Sequence, residues 1–155
     1  MRILVVSDTH GDAWSLQRAV MAQPQAQVVV HLGDGAGEAA QAQALFPERR
    51  FCLVRGNCDW GSALPAVRVE TFGGRRFYCT HGVAEHVKYG EYEAVLRARA
   101  AGAQVLLFGH THVPLSTYRD GVYVLNPGSL HGAAATYGFV DITPAGVVTQ
   151  VVRLR

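Results

Sequence analysis

Ile3-Leu4-Val5-Val6-Ser7 runs straight into Asp8-Thr9-His10-Gly11-Asp12, and this junction decides how the rest of the chain is read. An apolar run rich in β-branched residues predicts a strand, and the polar, glycine-bearing stretch after it predicts a loop. Trp14, Leu16, Val20 and Met21 then recur at mainly helical spacing, closed near Pro24. The same order returns twice. Gln27 to Leu32 predicts a second strand, ending at Gly33-Asp34-Gly35, and Gly37 to Phe46 an alanine-rich helix stopped at Pro47. Phe51 to Arg55 predicts a third strand, ending at Gly56-Asn57-Cys58-Asp59. Strand, loop and helix in alternation predict βαβ units on a parallel sheet.

The second half changes character. Val67 to Phe72 and Arg75 to Thr80 flank Gly73-Gly74, a hairpin signal. Glu91 to Ala101 reads as a helix and Gln104 to Phe108 as an apolar strand. Two more hairpins follow: Ser116 to Arg119 with Val122 to Leu125 across Asp120-Gly121, and Tyr137 to Thr143 with Val147 to Leu154 across Pro144-Ala145-Gly146. An antiparallel set thus follows the alternating set, with no repeat and no linker. The expectation is a single domain over residues 1–155, two packed sheets with helices outside.

Composition narrows the class. The 155 residues suit one domain, and 49% apolar with 17% charged residues is ordinary for a soluble globular chain. No apolar run reaches the ~18 residues of a membrane helix, and the N-terminus turns polar too soon for a signal peptide. A cytoplasmic protein with no membrane partner is expected. The net charge of +2 gives no ground for a nucleic-acid partner. Cys52, Cys58 and Cys79 form no C-x-x-C pair, so neither a disulfide framework nor a thiolate zinc site is expected. Cys52 and Cys79 lie in apolar strand-like runs and are expected to be buried and inert.

The remaining polar residues follow a pattern that packing does not explain. Asp8 and His10 follow the first strand, Asp34 the second, Asn57 the third, His81 the Arg75–Thr80 strand, and His110 and His112 the Gln104–Phe108 strand. Ligands of α/β sheets bind at the carboxyl ends of strands, so five ends side by side would bring these groups into one pocket. Glycines 11, 33, 56, 82 and 109 stand beside them, as tight turns require. Each fragment alone recurs by chance; the ordered set does not. Four imidazoles, two carboxylates and one amide oxygen suit Mn, Fe, Zn, Ni or Co better than Mg or Ca. Seven ligands exceed what one such ion takes and fit two that share a carboxylate. Two ions roughly 3.5–4 Å apart can lower the pKa of a bridging water and clamp a phosphoryl group, which predicts phosphoester hydrolysis.

The blocks Ser7-Asp8-Thr9-His10-Gly11, Gly33-Asp34-Gly35, Gly56-Asn57-Cys58-Asp59, Thr80-His81-Gly82, Gly109-His110-Thr111-His112 and Asn126-Pro127-Gly128-Ser129 resemble those of the calcineurin-like metallophosphoesterases. The likeness spans nearly the whole chain, and the short length resembles the small phosphodiesterase branch of the YfcE type. The resemblance implies an α/β fold, a four-layer αββα sandwich with two mixed β-sheets, and a binuclear site on one rim. It implies one metal on Asp8, His10, Asp34 and His112, and the other on Asp34, Asn57, His81 and His110, with Asp34 bridging. Manganese is the first expectation, with Ni, Co, Fe or Zn as alternatives.

The resemblance departs at Cys58, where many relatives carry a histidine that assists the leaving group. Cys58 is expected to be a small packing residue, and Asp59 to orient the loop. Asn57, His110, Asp59 and His131 are the residues expected to serve catalysis, His131 because relatives often carry a basic residue after the Asn-Pro-Gly-Ser block. His86, in the polar loop after His81, is a second candidate proton donor. His31 reads as a core histidine or as one that supports a ligand from behind, Arg55 as a surface or salt-bridged residue and Trp60 as a rim or interface aromatic. Phosphodiester hydrolysis of a small-molecule substrate leads; a phosphomonoesterase and a non-catalytic scaffold resembling a retromer subunit stay open. So does a homo-oligomer, dimer or tetramer.

Overall fold

In the computed structural model, which describes residues Met1–Arg155, the first half alternates as expected: β1 (Arg2–Val6), α1 (Ala13–Ala22), β2 (Ala26–His31), α2 (Ala36–Leu45) and β3 (Arg50–Leu53). The second half adds β4 (Val67–Phe72), β5 (Arg75–Thr80), α3 (Tyr92–Ala100), β6 (Val105–Leu107), β7 (Leu115–Arg119), β8 (Val122–Asn126), β9 (Thr136–Thr143) and β10 (Gly146–Arg153). A single 3₁₀ turn spans Val87–Tyr89. Strand and helix positions agree with the sequence reading to within one or two residues.

The strands form two five-stranded sheets, ordered β10-β9-β1-β2-β3 and β4-β5-β6-β8-β7. β1, β2 and β3 are parallel, and β9 runs antiparallel to β1 with Ile3 opposite Val140 and Leu4 opposite Phe139. The division by halves expected from sequence is therefore incomplete. The last hairpin returns to the first sheet, because β9 carries a buried Tyr137-Gly138-Phe139-Val140 run that needs neighbours on both sides. In the second sheet β5, β6 and β8 are parallel, and only the edge strands β4 and β7 are antiparallel. Loop turn signals announce hairpins; they say nothing about which strand lies on the far side.

Successive strand residues face opposite sides, and β1 uses both. Ile3 and Val5 face the second sheet and pack with Val28, Val30, Phe77, Cys79, Val105 and Leu107. Leu4 and Val6 face outward onto Leu16, Ala19 and Val20 of α1 and Ala42 of α2. On the other outer face Ala94, Val95 and Ala98 of α3 cover Tyr78, Leu106 and Val124. The layers are helix, sheet, sheet, helix. Each fully enclosed Leu, Ile or Val contributes roughly 1.5–3 kcal/mol, and Cys52 and Cys79 sit in this inner layer as expected.

Two caps aim the helices at the rim. Asp12 caps α1, its carboxylate accepting from the Ser15 N–H at 2.9 Å and the Ser15 hydroxyl at 2.7 Å. Gly35 at the start of α2 has no capping side chain of its own. The Asp59 carboxylate, from the loop after β3, takes that place by accepting from the Gly35 and Ala36 amides, each at 2.9 Å. An anion at a helix N-terminus is stabilised by the unpaired amides there.

Candidate metal centre

The five strand ends expected to lie side by side divide three and two between the sheets. β1, β2 and β3 deliver Asp8, His10, Asp34 and Asn57; β5 and β6 deliver His81, His110 and His112. The two sets meet across the rim. His110 donates its backbone N–H to Asp8 Oδ2 at 3.1 Å, and His112 Nε2 lies 3.1 Å from Asp8 Oδ1. His81 Nδ1 donates to the Leu32 carbonyl at 2.7 Å. That bond fixes the tautomer and turns the Nε2 lone pair inward. His81 Nε2 lies 3.1 Å from Asn57 Oδ1, 3.4 Å from Asp34 Oδ2 and 4.0 Å from Asp8 Oδ1.

Each buried carboxylate divides its two oxygens between roles. Asp8, with no exposed surface, gives Oδ2 to the Ser7 hydroxyl at 2.5 Å and the His110 amide, and leaves Oδ1 facing His112, His10 and His81. Asp34 gives Oδ1 to the Cys58 amide at 2.8 Å and turns Oδ2 toward His81. One oxygen anchors and the other is presented.

The local backbone is unusual in the same places. Asp8, His10, Asp34, His110 and His112, five of the seven expected ligands, all have φ between 44° and 68°. Non-glycine residues rarely adopt this left-handed region, and such strain gathers at functional sites. Close approach explains two glycines: a Cβ on Gly56 would run into the Asp34 carboxylate, and one on Gly109 into the Ser7 hydroxyl.

The donor atoms of Asp8, His10 and His112 lie within 4.8 Å of one another, as do those of Asp34, His81 and His110. His10 Nε2 and His112 Nε2 face each other at 3.2 Å. Imidazole nitrogens turned toward unpaired carboxylate oxygens are the donor set of a divalent transition metal, so the residues present fit such an ion. Burial pushes the Asp34 carboxyl up, but bonds from His81 and the Cys58 amide outweigh it and hold it below the usual carboxylate range. Burial pulls His81 down, yet the Asp34 bond and the Asp8 charge leave it raised. His110 is lowered, first by burial.

Other expected residues lie around this centre. Asp59 does not face it; its two oxygens accept from the amides of Asp34, Gly35, Ala36 and Gly56 at 2.7–2.9 Å. His131 stands at the rim, its ring 6.3 Å from that of His10, in a polar cleft of about 370 Å³ shared with His10, His112 and Ser129. His86 is exposed and bonded to Glu93 at 2.7 Å. Cys58 is exposed rather than packed, because its amide is committed to Asp34 and the side chain is left at the surface near His10 and Asp34. Trp60 is 90% exposed at the rim.

The supporting role open to His31 is the one the structure gives it, while the sequence reading missed its partner in that support, Glu38. His31 is buried and accepts the Gly33 N–H at Nδ1, so its protonated Nε2 donates to Thr9 Oγ1 at 3.2 Å. Thr9 in turn donates to Glu38 Oε1 at 3.0 Å, and Glu38 Oε1 also accepts the Gly11 N–H at 2.5 Å. Burial lowers His31 to about 4, so it stays neutral. The one acid in the first turn of an alanine-rich helix was the available signal.

The family model of the calcineurin-like phosphoesterase superfamily domain matches residues 1–144. The chain belongs to this superfamily. It is 33% identical over 131 residues to the probable metallophosphoesterase YsnB of Bacillus subtilis, covering 84% of this chain and 75% of that one. It is 30% identical over 169 residues to the phosphodiesterase YfcE of Escherichia coli, covering 91% and 88%. A structure of a predicted phosphoesterase from Streptococcus pneumoniae superposes with a TM-score of 0.84 at 24% identity, covering 98% of this chain and 88% of that chain. The fold is the metallophosphoesterase fold, and the family's chemistry is phosphoester hydrolysis with divalent metal ions. No helix is long and apolar enough to cross a membrane.

Proposed function

We propose that the chain is a phosphodiesterase that holds two divalent transition-metal ions, manganese first among them. One ion would be held by Asp8, His10, Asp34 and His112, the other by Asp34, Asn57, His81 and His110. The observation that carries this reading is the pair of donor groups, Asp8-His10-His112 and Asp34-His81-His110, side by side on one rim. When bound, two such ions supply Lewis-acid charge and lower the pKa of water.

The protein's own contribution is to aim and anchor. Asp8 and Asp34 each keep one oxygen on backbone amides, so the presented oxygen is fixed before any ion arrives. Asn57 and His110 would act on the phosphoryl group, and Asp59 by holding the Asp34 and Asn57 loops together. His131, on the rim of the polar cleft shared with His10 and His112, would hand a proton to a departing alkoxide. Cys58 stands where many relatives carry a histidine, and a carboxylate neighbour, Asp34, raises its thiol further. It is a poor acid, so leaving-group protonation would rest on His131 alone, and esters with good leaving groups would be favoured. Monoester recognition usually wants several cations near the metals, and the motif loops offer Arg55 alone. The YfcE relative named a phosphodiesterase supports the same choice.

The test is to strip the protein, reload it separately with Mn, Ni, Co, Zn and Mg, and assay an aryl phosphodiester beside the matching monoester, with His110→Ala alongside. Metal-dependent diester turnover lost in the variant is expected. Faster monoester turnover would replace the reading with a phosphomonoesterase, and absence of bound metal would favour a scaffold.

A further inference from the structure

A second cleft, of about 280 Å³, opens on the opposite side of the candidate centre from His131. It shares Asn57 and His81 with that centre, yet its walls are apolar: Ala66 and Val67 at the start of β4 on one side, Val83 and Ala84 after β5 on the other. Val83 is 46% exposed with nothing covering it. Apolar side chains seldom line one wall of a charged site unless an apolar group belongs there.

The wall is built in advance. On one side of Val83, Gly82 packs against the buried Val87 and accepts its N–H at 3.2 Å. On the other, the fully buried Glu85 accepts from the Tyr78 hydroxyl at 2.9 Å and the Thr80 hydroxyl at 3.0 Å. With its neighbours tied down, the Val83-Ala84 pair is held outward, facing Ala66. The Glu85 carboxylate behind the cleft also excludes a second anion, and Arg55 is the only cation lining it.

We propose that this cleft is a substrate subsite that takes one ester substituent of the phosphodiester, a neutral apolar group of monocyclic aryl or short alkyl size. This rests on the phosphodiesterase reading above and names the class of substrate it favours. A phosphoryl group beside Asn57 and His81 would place one of its two alcohol substituents against the Val83 and Ala66 walls and the other toward the polar cleft near His131.

The test measures binding rather than turnover. Dimethylphosphinate and methyl(phenyl)phosphinate are monoanions like a diester and contain no ester bond to cleave. Calorimetric titration of the manganese-loaded protein should show the phenyl compound binding at least about tenfold tighter. Val83→Asn and Ala66→Asn, each with its melting temperature and metal content measured, should remove that preference without adding charge and leave dimethylphosphinate affinity within about twofold. Equal affinities in the parent protein, or a phenyl preference that survives both substitutions, would overturn the subsite and leave the phosphodiesterase reading standing. Failure of both phosphinates to bind metal-loaded protein would overturn the subsite and the phosphodiesterase reading together.

Discussion

Asp59 Oδ2 accepts the backbone N–H of Asp34 at 2.9 Å, so an acid in the third loop fixes the position of an acid in the second. The same carboxylate reaches Gly35, Ala36 and Gly56. Burial pushes Asp59 up, but these four amides outweigh it and keep it below the usual carboxylate range. Asp59→Asn keeps the shape and replaces one acceptor oxygen with a donor that faces N–H groups. Metal affinity should fall about tenfold or more through Asp34, and stability by about 1–3 kcal/mol. Calorimetric metal titration and urea unfolding check this. Unchanged metal affinity with lowered stability would reduce Asp59 to a helix cap.

Glu38 should act on the first loop in the same way. Its Oε1 holds both the Gly11 amide and the Thr9 hydroxyl, on either side of His10. Glu38→Gln retains an acceptor oxygen and should bind metal within about threefold of the parent, whereas Glu38→Ala should lose about tenfold. Equal losses in the two variants would mean that the charge matters, and not the tether.

The strand ends were legible in the sequence because an apolar run followed at once by Asp, Asn or His needs no long-range information. Asp8, Asp34, His81 and His110 could all be placed at such ends. What the sequence withheld was pairing across space. Nothing local to Thr136–Thr143 says that it lies beside β1 rather than beside β8. Nothing local to Asp59 says that its oxygens face the amides of another loop. Cys58 misled because a small sulfur side chain is usually buried; here its backbone is held by Asp34, and this leaves the side chain outside. Glu85 was invisible for a different reason: its partners Tyr78 and Thr80 lie only seven and five residues back, on β5, but nothing in the polar loop after His81 says that its acid folds back beneath that strand.

His112 is held at φ 58° with its side chain about half exposed. Glycine adopts that conformation without steric cost, and few packing contacts would be lost. Metal-free His112→Gly should therefore melt at or above the parent, although it lacks a ligand. Manganese should raise the melting temperature of the parent and shift the variant far less. A scanning-calorimetry comparison with and without metal separates the two effects. A lower melting temperature for the metal-free variant would show that the His112 ring stabilises the fold by itself.

Arg2 and Asp141 join β1 to β9 through two bonds, at 2.8 and 2.6 Å, in a partly buried position. The Arg2 bond holds the Asp141 carboxyl below its ordinary value of 3.8, against the effect of burial. A carboxyl lowered in the folded state contributes stability above its unfolded value, and that contribution is lost as the pH falls through the folded value. The bidentate pair should be worth about 1 kcal/mol, or ~2–4 °C for a chain of this size. Asp141→Asn should therefore melt lower than the parent at pH 6, and the gap should close as the pH is taken below 3.8. A gap that does not narrow as the pH falls would mean that the asparagine disturbs packing at the β1–β9 pair and that the charge contributes nothing.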